Sequence, residues 1–330
     1  MVLACISVAG DKSRPQAEKL LTDAEKLTDI RLPGSTPFRL KAHFLGNMDK
    51  GQTYEATYLL EWNSPTSWRD EFKATDFEEV RVAHGDRLLI SRHPSTPVAE
   101  VFRLHELIDF PVYFELAPSL KVERLSERQT QGTQQRVVDV SVRGRPWTKV
   151  YLDSSQPLVN RIEMKGALSG PQYPFNDFES TWEFEDYREF HEHQFPRKLS
   201  FRNSSSLEAR IEVLELVDAD SHAAEFDPPA DAHWIHWCPH PQPPKYARTE
   251  DRLPLLPPPQ FRAGAPAVHA QIYGIIATDG LWHNLTVLKS GGESVDSYFL
   301  KQLTAEKFTP AHCGDTPVEF ENVLGLGYRP

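Results

Sequence analysis

Hydrophobic and polar residues follow two different periods along the chain, and the change from one to the other marks its elements. From Gln16 to Thr28, Ala17, Leu20, Leu21, Ala24 and Leu27 fall on one face at helical spacing, which predicts an amphipathic helix. Pro33 and Gly34 end that pattern, and from Phe38 the period becomes two: Phe38, Leu40, Ala42 and Phe44 alternate with Arg39, Lys41 and His43. The run Thr53 to Trp62 puts Tyr54, Ala56, Tyr58, Leu60 and Trp62 on one face, so with Asp49-Lys50-Gly51 between them the two runs read as a hairpin. Shorter strand-like stretches follow at 78–82, 87–91, 136–142, 148–152, 158–164, 181–187, 197–202 and 207–216, with a second helix expected over 98–110.

Many consecutive strands with two helices, and no βαβ alternation, predict the α+β class: an N-terminal curved antiparallel half-barrel sheet with helices. Between 227 and 266 proline becomes frequent (Pro228-Pro229, Pro243-Pro244, Pro257-Pro258-Pro259), which reads as a semi-rigid linker. After it a compact pattern returns: a strand over 268–277, a turn at Thr278-Asp279-Gly280, a strand over 281–289, a helix over 294–303 and a last strand over 317–325. That order is a small ββαβ module. The organisation expected is therefore a leader or lipobox region over 1–14, a sheet domain over 15–226, a linker over 227–266 and a C-terminal module over 267–330.

With 330 residues the chain is long enough for two cores. Its formal net charge of -11 argues against wrapping nucleic acid, which needs clustered cations. No apolar run reaches the roughly 20 residues of a spanning helix. The three cysteines are too few for a disulfide framework, though Cys238 and Cys313 could form one bridge in an oxidising compartment. Val2-Leu3-Ala4-Cys5 resembles a bacterial lipobox, in which Cys5 would be lipidated and hold the chain on a membrane; a mis-set start or chance is the alternative.

The C-terminal module resembles the TonB C-terminal domain family. The residues that carry the likeness are Ile272-Tyr-Gly-Ile-Ile-Ala-Thr-Asp-Gly280, Asn284 to Gly291, the helix with Val295, Tyr298, Phe299 and Leu303, Phe308-Thr-Pro-Ala311 and Gly314-Asp-Thr-Pro-Val318. Glu306-Lys307 depart from it where the family has an aromatic residue. The resemblance implies a non-enzymatic cell-envelope adaptor that binds partners, outer-membrane transporters among them, by β-strand addition. The receiving edge would be Val318, Glu319, Phe320, Glu321, Asn322, Val323 and Leu324. An edge covered by the linker or by a second copy is the alternative.

The N-terminal part resembles the Lol-type outer-membrane lipoprotein carriers. The echoes are Tyr58-Leu-Leu-Glu-Trp62 with Pro65 and Trp68, Tyr151-Leu-Asp-Ser-Ser-Gln-Pro-Leu158 with Arg161, and Phe184-Glu-Asp-Tyr-Arg188 with Phe195-Pro196. That likeness implies a periplasmic carrier whose Phe44, Tyr58, Leu60, Trp62 and Trp68 bind a lipid-like ligand, against the alternative that these side chains only pack on the helices.

Catalytic signals are weak. His233, His236, Cys238 and His240 are metal-ligand types, but they stand beside Pro239 with no second half at finger-like spacing. His191 and His193 fall at a turn. No phosphate loop, H-E-x-x-H or G-x-S-x-G is present. No enzyme activity, cofactor or metal is expected.

Overall fold

The computed structural model describes residues 13–47, 53–109, 120–130, 133–142, 145–167, 177–203, 206–219, 226–239, 241–242, 244–246 and 268–328. In chain order the elements begin with α1 (Ser13–Thr28), β1 (Phe38–Asn47), β2 (Thr53–Ser64), β3 (Ser67–Ala74), β4 (Glu78–His84), β5 (Arg87–His93) and α2 (Ala99–Ile108). A meander follows: β6 (Leu120–Thr130), β7 (Thr133–Val142), β8 (Arg145–Asp153), β9 (Val159–Ala167), β10 (Asp177–Phe190), β11 (His193–Asn203) and β12 (Ser206–Asp218). The remainder comprises β13 (His233–His236), β14 (Lys245–Tyr246), β15 (Val268–Ile276), β16 (Trp282–Lys289), α3 (Glu293–Ala305), β17 (Phe308–Thr309), β18 (Ala311–Cys313), β19 (Thr316–Val318) and β20 (Phe320–Tyr328).

Among the described residues thirteen strands hydrogen-bond in the order β13-β5-β4-β3-β2-β1-β12-β11-β10-β9-β8-β7-β6, an antiparallel sheet that ends on β13 and β6 without closing. The α+β expectation is therefore corrected to a mostly β chain. Sequence periodicity undercounted its strands because β3 and β6 carry charged side chains where a half-buried strand would show apolar ones.

The chain divides into two compact units. One comprises 1–30, 107–167 and 177–208; the other 31–106, 168–176 and 209–330. In the first, the face of α1 with Ala17, Leu20, Leu21 and Ala24 is buried, as its spacing predicts, and the helix packs on β6 and β11. Arg14–Glu18 and Lys19–Asp23 are i,i+4 ion pairs along the helix. The apolar interior of this unit includes Val138, Val150, Ile162, Trp182, Leu199 and Phe201.

In the second unit the first hairpin has the expected register, Phe38 opposite Trp62 and Ala42 opposite Tyr58. Residues 233–239, 241–242 and 244–246, inside the proline-rich stretch, are stitched down on two sides. β13 pairs with β5, and the Trp237 amide donates to the Asp86 carbonyl at 2.9 Å. Beyond it, Cys238 is bridged to Cys313, Gln242 and His312 exchange backbone hydrogen bonds of 2.8 and 3.1 Å, and β14 pairs with β17. The bridge spans a separation of 75 residues, which on chain entropy stabilises the fold by roughly 4 kcal/mol.

The C-terminal elements do follow the order strand, strand, helix, strand, but they are not a small module of their own. β16, β15 and β20 form a three-stranded sheet, and Ile272, Tyr273, Gly274, Ile275 and Ile276 of its central strand are buried one after another. Consecutive burial means that both faces of β15 are covered. On one side Ile272 and Ile276 join Trp282, Phe308 and the α3 residues Val295, Phe299 and Leu303. On the other, the Tyr273 ring lies 5.5 Å from that of Phe102 on α2. The expected TonB-like ββαβ domain is corrected accordingly: residues 268–328 belong to one compact unit with the strands of residues 38–93, to which Arg92 ties them through Tyr273 and Glu321. The last strand also breaks at Glu319, where β19 returns to pair with β18 before β20 starts.

Gly280 ends the β15–β16 turn at φ +81°, and a Cβ there would lie 1.9 Å from the Phe308 carbonyl oxygen. Replacing it with alanine forces a left-handed backbone and breaks the 2.8 Å bond from the Phe308 amide to the Gly280 carbonyl. Gly280→Ala is expected to cost at least about 2 kcal/mol in chemical denaturation. A variant within 0.5 kcal/mol of wild type, roughly the scatter of neutral surface changes, would show that Phe308 does not sit on this turn.

Candidate functional site: an aromatic sheet face beside a buried charge chain

The inner face of β1–β3 is built by alternation and by matching large side chains to small ones. Register sets Phe38 against Trp62, Leu40 against Leu60, Ala42 against Tyr58, Phe44 against Ala56 and Gly46 against Tyr54. Phe72 of β3 stands across from Tyr58. The rings then interlock: Phe38 stacks on Trp62 at 5.3 Å, Phe44 meets Phe72 edge-on at 5.8 Å, and Tyr54 stacks on Phe72 at 6.2 Å. One short helix, α2, reaches this face, with His105 edge-on to Tyr58 at 6.0 Å.

Four of the five residues expected to bind a lipid-like ligand are thereby brought together. Phe44, Tyr58, Leu60 and Trp62 are all buried on this face. Trp68 stands on the same face, directly across from Trp62, but is only half-buried, its ring packed edge-on to Trp237 at 5.6 Å beneath the Arg81 guanidinium.

Towards β4 and β5 the same face turns from apolar to ionic. Antiparallel register sets Asp70 opposite Arg81 and Glu79 opposite Arg92, so two acid–base pairs form directly across neighbouring strands. The Arg81 Nε donates to the Asp70 carboxylate at 3.0 Å, and the Tyr58 hydroxyl donates to Asp70 Oδ2 at 3.2 Å. Arg81 Nη2 lies 2.8 Å from His105 Nδ1, and His105 Nε2 lies 3.3 Å from Glu79 Oε1. A guanidinium can only donate, so His105 Nδ1 is the acceptor in its contact with Arg81. Arg92 donates to Glu79 and, as a fork, to both oxygens of Glu321 at 2.8 and 3.0 Å, and to the Tyr273 hydroxyl at 3.0 Å. Its guanidinium also lies over the rings of Phe102 and Tyr273.

Asp70, Glu79 and Arg92 are all buried, and such charges persist in a core only when each is paired. Burial by itself would raise the Glu79 carboxyl. The Arg92 guanidinium, the His105 hydrogen bond and Arg81 outweigh it and hold the pKa near about 2. For both arginines burial pulls the other way, but Asp70 beside Arg81, and Glu321 and Glu79 beside Arg92, raise their pKa values. Burial and the neighbouring Glu321 keep the Tyr273 phenol protonated.

The proposed edge residues are placed as follows. Val318 is buried in the β18–β19 hairpin, and Glu319 accepts from the His236 amide at 3.1 Å. Phe320 to Leu324 pair with Ile276 to Ile272 of β15, and Glu321 is held by Arg92 and Tyr273. Of the histidine cluster, His233 and His236 lie exposed on β13, Cys238 is in the disulfide, and His240 lies outside the described residues. Cys5 lies outside them as well. Among the described residues no group of acids, histidines and cysteines converges as a metal site would, and no helix is long and apolar enough to cross a membrane.

Sequence reading missed a Ser91, His93 and Asp231 cluster. The Ser91 hydroxyl donates to the Asp231 carboxylate at 3.0 Å, while His93 Nε2 faces both Ser91 at 3.4 Å and Asp231 at 3.1 Å. In a nucleophilic triad the histidine uses opposite ring nitrogens for base and orienting acid. Here one nitrogen meets both, and the acid already holds the serine proton, so the arrangement is not a triad.

No family model matches the chain, the TonB family included, and no curated protein matches it. Solved structures do. A LolA superfamily protein from Nitrosomonas europaea shares 11% identity over 62% of this chain and 94% of its own, with a TM-score of 0.41. A putative outer membrane lipoprotein-sorting protein domain from Vibrio parahaemolyticus shares 11% over 61% and 93%, with a TM-score of 0.38. A DUF1329 family protein from Desulfovibrio piger shares 9% over 63% and 94%, with a TM-score of 0.41. With TM-scores below 0.5, these neighbours carry no argument about what this chain does.

The charge chain predicts an acid-dependent loss of stability. Glu79 has a folded pKa depressed from its ordinary 4.5 to about 2, so its contribution is fully present above about pH 4.5 and is lost as the pH falls towards about 2. Glu79→Gln leaves Arg92 short of a counter-charge and is expected to cost about 3–5 kcal/mol at pH 7. The gap between wild type and variant in urea denaturation should narrow steadily between pH 4.5 and 2. A gap that stays constant across that window would mean that Glu79 is not held ionised by this chain of contacts.

Proposed function

We propose that this protein is a non-enzymatic binding protein of the cell envelope, a periplasmic carrier that takes a lipid-like ligand on the β1–β3 aromatic face beneath α2. The observation that supports it is the make-up of that face: an aromatic and aliphatic surface across three strands, met by one ten-residue helix, with its polar groups gathered at the β4–β5 side. An acyl chain needs such a surface, apolar throughout with polar groups at one margin. The Cys238–Cys313 bridge fits an oxidising compartment, and the Tyr58-Leu-Leu-Glu-Trp62 and Tyr151-to-Leu158 segments carry the resemblance to Lol-type carriers.

The TonB-like adaptor is not the reading favoured. β15 is buried on both faces and Glu321 of the edge strand β20 is bound through its side chain to Arg92, so this sheet is packed into the rest of its unit and not set apart as an independent docking domain.

The test is photo-crosslinking of the purified full chain with a diazirine-bearing fatty acyl ester, followed by peptide mapping. Adducts are expected within 38–74 and on α2, and competition by unlabelled ester should remove them. Adducts absent or scattered over the surface would sink the carrier reading.

A further inference from the structure

Two tyrosines four residues apart on β2 turn into the aromatic face, and they differ in one respect. Tyr58 donates its hydroxyl to Asp70, whereas the hydroxyl of Tyr54, on a residue only 7% exposed, is buried with no hydrogen-bond partner. Leaving a phenol hydroxyl unpaired in a core is unfavourable by about 1–3 kcal/mol, and native folds retain few such groups without a use for them. The ring itself is held in place, stacked on Phe72 with an interplanar angle of 7°. Across the hairpin stands Gly46, where a Cβ would already lie 3.1 Å from the Phe44 ring and 3.3 Å from Glu100 Cγ. The absent side chain at Gly46, the first turn of α2 and the unpaired hydroxyl therefore meet at one end of the face.

Resting on the carrier reading, we propose that Tyr54 is the polar contact of the ligand site, donating its hydroxyl hydrogen to the carbonyl oxygen of an uncharged acyl ester or amide whose chain lies along β1–β3. The hydroxyl is a donor awaiting an acceptor, which selects a carbonyl over a plain hydrocarbon. The carboxylates of Glu100 and Asp76 act on the same phenol, and a carboxylate or phosphate headgroup placed there would be repelled by them. Those two charges, after burial, keep the phenol protonated and so able to donate.

The experiment compares the full chain with its Tyr54→Phe variant, titrated with a pyrene-labelled fatty acid methyl ester and with a pyrene-labelled alkane of the same length. Tyr54→Phe is expected to weaken the ester about tenfold, the worth of one buried hydrogen bond, and to leave the alkane unchanged. Its thermal midpoint should be no lower than that of wild type, because no bond is lost in the free chain. Equal ester affinity in the two proteins, or an equal loss for ester and alkane, overturns the assignment. A lowered midpoint does so as well, by showing that the hydroxyl already has a partner. If wild type binds neither probe, the carrier reading itself fails and the Tyr54 assignment falls with it.

Discussion

The structure of the second unit depends on charges that cannot leave the core without their partners. Antiparallel register sets Asp70 against Arg81 and Glu79 against Arg92, so a slip of one residue in β3, β4 or β5 would bury like beside like or leave a guanidinium alone. Hydrophobic alternation specifies which face of a strand points inward; the charge chain specifies the register as well. It also decides what else must be present. Arg92 carries more donors than Glu79 can accept, and the surplus is met by Tyr273 and Glu321, which lie about 180 and 230 positions further along the chain.

That requirement explains why the C-terminal segment is part of the fold. Burying Ile272 and Ile276 against α3 would suffice for a small sheet with one wet face. Burying Tyr273 and Ile275 on the opposite side needs a second surface, which the β4–β5 strands and α2 provide. The strap of residues 233–239, 241–242 and 244–246 adds a covalent tie to the same arrangement, since β13 extends the large sheet while Cys238 is bound to the β18 end of the C-terminal segment. Backbone pairing and the disulfide thus hold together what the ion pairs align.

The aromatic face has a different logic. Its side chains fill space by size matching across the β1–β2 register, glycine or alanine opposite tyrosine or phenylalanine, and need no long-range partner to do so. This local origin is why the hairpin and its inward-facing residues were legible in sequence. The charged inward positions were not, because Asp70, Glu79, Arg81 and Arg92 in a strand read as solvent-facing until their neighbours are known. Had the alternation of Asp70 with Phe72, and of Glu79 and Arg81 with Ala83, been taken as one inward face, four charges on it would have signalled a buried network.

By itself, the sequence determined the local elements: the period-two runs of β1 and β2, the helical faces of α1, α2 and α3, and the Asp279-Gly280 turn, all of which depend on residues within a few positions of one another. Only tertiary structure decided the class, the fate of the C-terminal strands and the pairing of Cys238 with Cys313. Thirteen-strand order, burial of β15 on both faces and the capture of Glu321 by Arg92 are each set by contacts between residues far apart in the chain, where periodicity has no information. The same reason hides Tyr54: an unpaired hydroxyl is defined by what fails to surround it, and no run of residues along β2 states that.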